Sequence, residues 1–130
     1  MHLTLPIYWT KVFKTKPDKT VLCGMNWYRD AHYHEKNKVK KEFSELVYKQ
    51  LGAEFPPIAG GYTMHYDLFY KNPNCDGANI VAFSEKVVLD AIQEINIVTN
   101  DNVKYHKGST WSVADQDKEN PRVEITIKPI

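Results

Sequence analysis

Between Asn79 and Ile95 the apolar residues recur with the period of a helix. At about 100° per residue, Ile80, Val81, Val87, Val88, Ala91, Ile92 and Ile95 fall on one arc. Asn79, Lys86, Asp90 and Gln93 fall on the opposite side, with Glu85 and Leu89 flanking them. Asp76 or Asn79 can cap the start, because a short polar side chain there accepts from unpaired backbone N–H groups. Asn96 stands where the periodicity ends and suits a terminal residue with positive φ. A second long helix is predicted from Ala31 to Leu51, where Val39, Phe43, Leu46, Val47 and Leu51 recur at helical spacing among lysines and glutamates.

Other stretches alternate with a period of two. His2 to Tyr8 places Leu3, Leu5 and Ile7 on one side, and Pro6 marks that strand as an edge or a bulge. Lys11 to Lys19 reads as a basic loop or hairpin turning at Pro17-Asp18, and Val21 to Cys23 as a short strand. Gly52 to Gly61 holds Pro56-Pro57 and Gly60-Gly61 and is a loop. Tyr62 to Lys71 alternates cleanly and is expected in the middle of the sheet, followed by a turn-rich loop from Asn72 to Ala78. A turn at Asn100-Asp101-Asn102 then leads into strands at Val103 to His106 and Ser109 to Val113. A polar connection from Asp115 to Pro121 precedes a last strand, Arg122 to Lys128, with Val123, Ile125 and Ile127 inward. The expected fold is α+β, a small mixed β-sheet with two long helices packed against it. At 130 residues the chain is read as a single domain over 1–130.

Composition narrows the function classes. The chain has no apolar run near the ~20 residues of a membrane span. Its first residues lack the basic start and apolar block of a signal peptide, and a cytoplasmic setting is expected. Cys23 and Cys75 lie far apart and are expected to stay reduced. The net charge is only +1, but residues 1–50 hold ten Lys and Arg against five acids, while residues 51–130 hold seven against eleven. A basic half suits phosphate contacts and an acidic half suits cations, although two ordinary solvated surfaces give the same counts.

The candidate chemistry lies between Cys75 and Tyr105. Asp76 sits at a loop–helix boundary, Lys86 and Asp90 on the polar helix face, and Asp101 in the turn beyond. An acid, a lysine-bearing face and a distant second acid are what a metal-dependent phosphodiesterase needs. Each has a plainer use: Asp101 as a turn residue bonded to its own backbone, Asp90 paired with Lys86, Glu85 simply solvated. Upstream, Asn26 to His34 packs Trp27, Tyr28, Tyr33, Arg29, His32 and His34 into one segment before a helix. Its aromatics suit either the core or a DNA branch point, and its polar residues suit phosphate.

The order Asp-x-x-Asn, then a long helix with Glu-Lys and Leu-Asp-Ala-Ile, then Asn-Asp-Asn-Val resembles the RusA-type Holliday-junction resolvases, closest to their phage-borne branch. The C-terminal DQDKENPRVEITI resembles that branch's ending. The likeness spans roughly Asp67 to Ile127. It implies a small homodimeric endonuclease that binds four-way DNA junctions and nicks two strands symmetrically with Mg²⁺ or Mn²⁺, in recombination and repair in a bacterial or phage-infected cytoplasm. It makes Asp76 the first metal ligand, Asp101 the last, and Lys86 the helix lysine facing phosphate. Where members carry a second loop acid this chain has Ala78, so Glu85 or Asp90 must complete the site; Asn100 stands where many members have a further Asp. Lys11, Lys14, Lys16, Asn26, Arg29, His32 and Lys36 are the expected DNA contacts. The departures keep open a non-catalytic DNA-binding protein of the same fold, and the charge balance keeps open a small protein-interaction domain.

Overall fold

The computed structural model describes residues 1–52 and 55–130, so residues 53 and 54 of the loop expected from Gly52 to Gly61 lie outside the described residues. The elements in chain order are β1 (His2–Pro6), β2 (Tyr8–Lys11), β3 (Lys19–Leu22), α1 (Met25–Asp30), α2 (Tyr33–Leu51), β4 (Tyr62–Tyr70), α3 (Gly77–Glu94), β5 (His106–Gln116) and β6 (Arg122–Pro129). The main sheet has the order β1-β6-β4-β5, with β4 and β5 parallel and the other pairs antiparallel. The architecture is α+β, a mixed four-stranded sheet with helices packed on it.

The period-two pattern decides which face of the sheet is covered. Tyr62, Met64, Tyr66 and Leu68 of β4, Leu3 and Leu5 of β1, and Val123, Ile125 and Ile127 of β6 are all buried under the helices. Thr63, His65 and Asp67 point to the other, half-exposed face, where His65 bridges Thr110 at 2.6 Å and Asp67 at 3.0 Å. β1 is an edge strand, as Pro6 predicts. Gln50 of α2 covers part of that edge, accepting from Thr4 N and donating to Thr4 O, both at 2.7 Å.

The basic segment Lys11 to Lys19 is a hairpin: β2 pairs β3 in a separate two-stranded sheet. Two expectations change. The segment from Asn26 is not merely a lead-in to the long helix, because Met25–Asp30 is a helix of its own, and Ala31 and His32 break the chain before α2 starts at Tyr33. The His32 ring supplies the cap of α2, its Nδ1 accepting from His34 N at 3.2 Å. Val103 to Tyr105 is a turn rather than a strand, because Asn102 draws the chain back: its side chain accepts from Lys104 N at 3.1 Å and its carbonyl from His106 N at 2.8 Å.

Helix α3 buries more than its predicted arc. Phe83 and Ser84 are buried as well, since α1 packs over that side and Phe83 meets Trp27 edge-on at 5.5 Å, Tyr28 at 5.6 Å and Phe43 at 6.1 Å. Asn96 takes the expected positive φ of 63° just past the end of α3. Leu46 of α2, expected inward, is 37% exposed. The β5–β6 connection is locked by Asp117, whose carboxylate accepts from Asn120 N at 2.9 Å, Glu119 N at 3.2 Å and Arg122 Nη1 at 2.8 Å. Those bonds, the one from Asn120 N foremost, hold it below the usual aspartate pKa. Among the described residues both cysteines are unpaired, and burial pushes the Cys23 thiol up to about 12. No helix of the described residues is long and apolar enough to cross a membrane.

Candidate functional site

β4, α3 and β5 form a parallel crossover, so the loop after α3 returns to the start of β4. Asp101 therefore comes back beside Tyr62, the first residue of β4. The side chain of Asn100 accepts from Asp101 N at 2.8 Å and Asn102 N at 3.0 Å, a turn that turns the Asp101 carboxylate outward to solvent. The Tyr62 hydroxyl ties this turn to the sheet by donating to Asn100 O at 2.9 Å.

Two carboxylates act on this hydroxyl. Burial raises the Tyr62 pKa to about 12, and the charges of Asp101 and Glu85 add to it. Glu85 also stands beside Tyr66, whose burial and nearby Glu85 charge push its hydroxyl well above the ordinary tyrosine range. Among the described residues the buried Tyr66 hydroxyl has no hydrogen-bond partner of good geometry. The His106 ring stacks on Tyr62 at 5.5 Å, and its Nε2 bonds Ser109 Oγ at 2.7 Å. A register skip between His106 and Gly108, which leaves Lys107 unpaired, bends β5 at this point.

The sequence-predicted residues thus separate into groups. Glu85 and Asp101 share one neighbourhood. Asp76 does not join them: it caps α3, accepting from Asn79 N at 3.3 Å, nine residues before Glu85 and so about 13 Å away along the helix at ~1.5 Å per residue. Asp90 is exposed one turn beyond Lys86. Lys86 points toward α1, its Nζ 5.6 Å from the Tyr28 ring centre, about 100° around α3 from Glu85. The arc of α3 between these two faces carries the exposed Ala78 and Ala82, the buried Leu89 and the half-buried Gln93.

The expected DNA contacts divide too. Lys11, Asn26 and His32 line one cleft of about 670 Å³ between the hairpin and the α1–α2 break, together with Lys19, His34 and the acids Asp30 and Glu35. Lys14 is exposed at the hairpin tip, and Lys16 lies 4.8 Å from the Phe13 ring centre. Arg29 is exposed and donates to Asn26 Oδ1 at 3.1 Å. Lys36 donates to Tyr28 O at 3.3 Å. Trp27 and Tyr28 belong to the packing around Phe83, which leaves Tyr33, 56% exposed, as the aromatic free to meet a ligand in that segment. Tyr62, Tyr66, His106 and Ser109 escaped sequence reasoning, because tyrosines on the inward face of a strand read as core.

Two carboxylates beside two phenol hydroxyls make a neighbourhood of hard oxygen atoms. Mg²⁺ characteristically uses one or two carboxylates plus substrate phosphate, so Glu85 and Asp101 fit it. Among the described residues no group of three or more His, Cys, Asp or Glu side chains stands together. The chain matches no family model and no curated protein.

The Tyr62 hydroxyl yields an alkaline test. Its folded pKa of about 12 exceeds the free value of 10.0, so its contribution to stability is complete below pH 10 and is lost as pH rises toward 12. The melting temperature is expected to fall across that interval, and less steeply in Tyr62→Phe. Parallel falls in the two proteins would mean that Tyr62 ionises as freely in the folded chain as in the unfolded one.

Proposed function

We propose that the protein is a metal-dependent endonuclease of the RusA type that cuts branched DNA, acting as a homodimer. The observation that carries this reading is that Asp101, in the loop returning to the start of β4, and Glu85, midway along α3, both lie near enough to Tyr62 for their charges to raise its hydroxyl pKa. Glu85 and Asp101 are the residues that would hold Mg²⁺ or Mn²⁺, which would supply there a water of lowered pKa and offset charge on the scissile phosphate. Tyr62 positions Asp101 through its bond to Asn100 O, and Tyr66 keeps a neutral hydroxyl near Glu85. The cleft lined by Lys11, Asn26 and His32 carries the DNA backbone. β5 ends the sheet with an edge unpaired among the described residues, and its Trp111 and Val113 are 43% and 55% exposed, which offers a surface for a second copy.

The direct test of the metal seat is calorimetric titration with Mn²⁺. Wild-type protein is expected to bind it and Glu85→Gln to bind at least tenfold more weakly. Equal binding by both proteins, or no binding by wild type, would sink the metal assignment. In this reading Asp76 is a helix cap. Asp76→Asn keeps an equally good cap, so the melting temperature and junction cutting are expected to stay within a few degrees and a few-fold of wild type. Loss of cutting with an unchanged melting temperature would return Asp76 to the metal site. A second reading, a DNA-binding protein without cleavage, is favoured by Ala78 and Asn100, which stand where the resembled family carries acids.

A further inference from the structure

Three ammonium groups crowd one tyrosine. Lys36 Nζ lies 5.0 Å from the Tyr28 ring centre, Lys86 Nζ 5.6 Å and Lys40 Nζ 5.7 Å. They come from two helices, α2 and α3, and all four side chains are half-buried. Among the described residues no carboxylate lies within 4.0 Å of any of the three. Tyr28 cannot swing away, because its ring leans on the buried Phe83 at 5.6 Å and its carbonyl accepts from Lys36. The negative face of a tyrosine ring offsets part of one cation's charge. Three cations around one ring leave a concentrated, rigidly framed positive site, which an anion with several acceptor oxygens would satisfy.

We propose that Lys36, Lys40 and Lys86, gathered about Tyr28, form a phosphate seat for a nucleic-acid strand. The proposal rests on the endonuclease reading and extends it. The seat and the Glu85–Asp101 pair lie on neighbouring faces of α3, within the 10–12 Å width of one helix. The arc between them carries Ala78 and Ala82 toward the N-terminal end of the helix and Leu89 and Gln93 toward the other, so a backbone can lie close against the helix at the two alanines. Lys86 thus anchors the strand at a phosphate displaced from the one beside the acids.

The test compares wild type, the double variant Lys36→Gln plus Lys40→Gln, and Lys128→Gln, an exposed lysine at the end of β6, as control. Binding of a fluorescein-labelled four-way junction is measured without divalent metal from 50 to 200 mM salt, and inorganic pyrophosphate is titrated while the Tyr28 ring resonances are followed by NMR. Each lost phosphate contact lowers the salt slope by about 0.9. The double variant is therefore expected to lose about 2 from the slope and roughly tenfold or more in affinity, with Lys128→Gln close to wild type. A double variant that binds junction with wild-type affinity and slope overturns the seat and leaves the endonuclease reading standing. Wild type that binds no DNA, but shows Tyr28 shifts with pyrophosphate that the double variant lacks, keeps a phosphate seat and overturns a nucleic-acid strand as its occupant. No response to either probe overturns both. Far-ultraviolet circular dichroism confirms that all three proteins are folded.

Discussion

Asp101→Asn is expected to lower four-way-junction cleavage by at least about a hundredfold while junction affinity stays within about threefold of wild type. The size follows from the chemistry: loss of even the outer partners of a metal ligand costs 10–100-fold, and Asp101 is placed as a ligand itself. The selectivity follows from geometry. Asp101 is exposed and its side chain holds no element together; the turn is made by Asn100, whose side chain accepts from the Asp101 backbone, and by Tyr62, which holds Asn100 O. The melting temperature should hardly move, since exposed substitutions away from such features stay within about 0.5 kcal/mol. Cleavage rates, binding isotherms and melts on one preparation check all three statements. Undiminished cutting removes Asp101 from the site.

The largest effect on stability is expected at Phe83. Its ring is fully buried and joins α1, α2 and α3 through Trp27, Tyr28 and Phe43. Phe83→Ala removes that ring from a site whose walls belong to three elements and cannot easily collapse. The expected cost is about 3–5 kcal/mol, a fall in melting temperature on the order of 10–20 °C. Leu46→Ala on α2, at a position already 37% exposed, serves as the contrast and should cost under about 1 kcal/mol. The six-residue α1 has no buried residue and no side-chain cap, so its place depends on this contact. Denaturant unfolding of both variants measures the difference. Equal stability in the two would mean that α1 is held by something other than Phe83.

Much of the fold was legible because its strands obey a period of two and its long helices a period near 3.6. Tyr62–Tyr70, Gly77–Glu94 and Arg122–Pro129 stand close to where the alternation of apolar and polar residues puts them. What was not legible depends on contacts between distant segments. Helix α1 lacks its own periodic stripe, and it forms where Phe83 offers Trp27 and Tyr28 a surface. The turn at Val103 to Tyr105 depends on the side chain and carbonyl of Asn102, which override the local preference of Val103 and Tyr105 for strand.

The candidate site was partly legible for the same reason. Asp101 and Glu85 could be named from their types and order, but not which acids meet. Position along α3 decides that: a helix of 18 residues holds its cap and its middle apart, and it is Glu85, at the middle, whose charge acts with that of Asp101 on Tyr62. Lys86, one residue on, turns to a different neighbour. The inward tyrosines looked like core in the sequence, and they are core; the hydroxyl of one holds the Asn100 turn and that of the other lies near Glu85.

The measurement that bears most directly on this account is cleavage of a labelled synthetic four-way junction beside a linear duplex of the same sequence, with Mg²⁺ and with chelator. Paired symmetric nicks are expected on the junction alone, only with Mg²⁺, and lost in Asp101→Asn. A junction bound but left intact at every Mg²⁺ concentration would contradict this, and would leave the Glu85–Asp101 pair as the remnant of a site in a protein that only binds DNA.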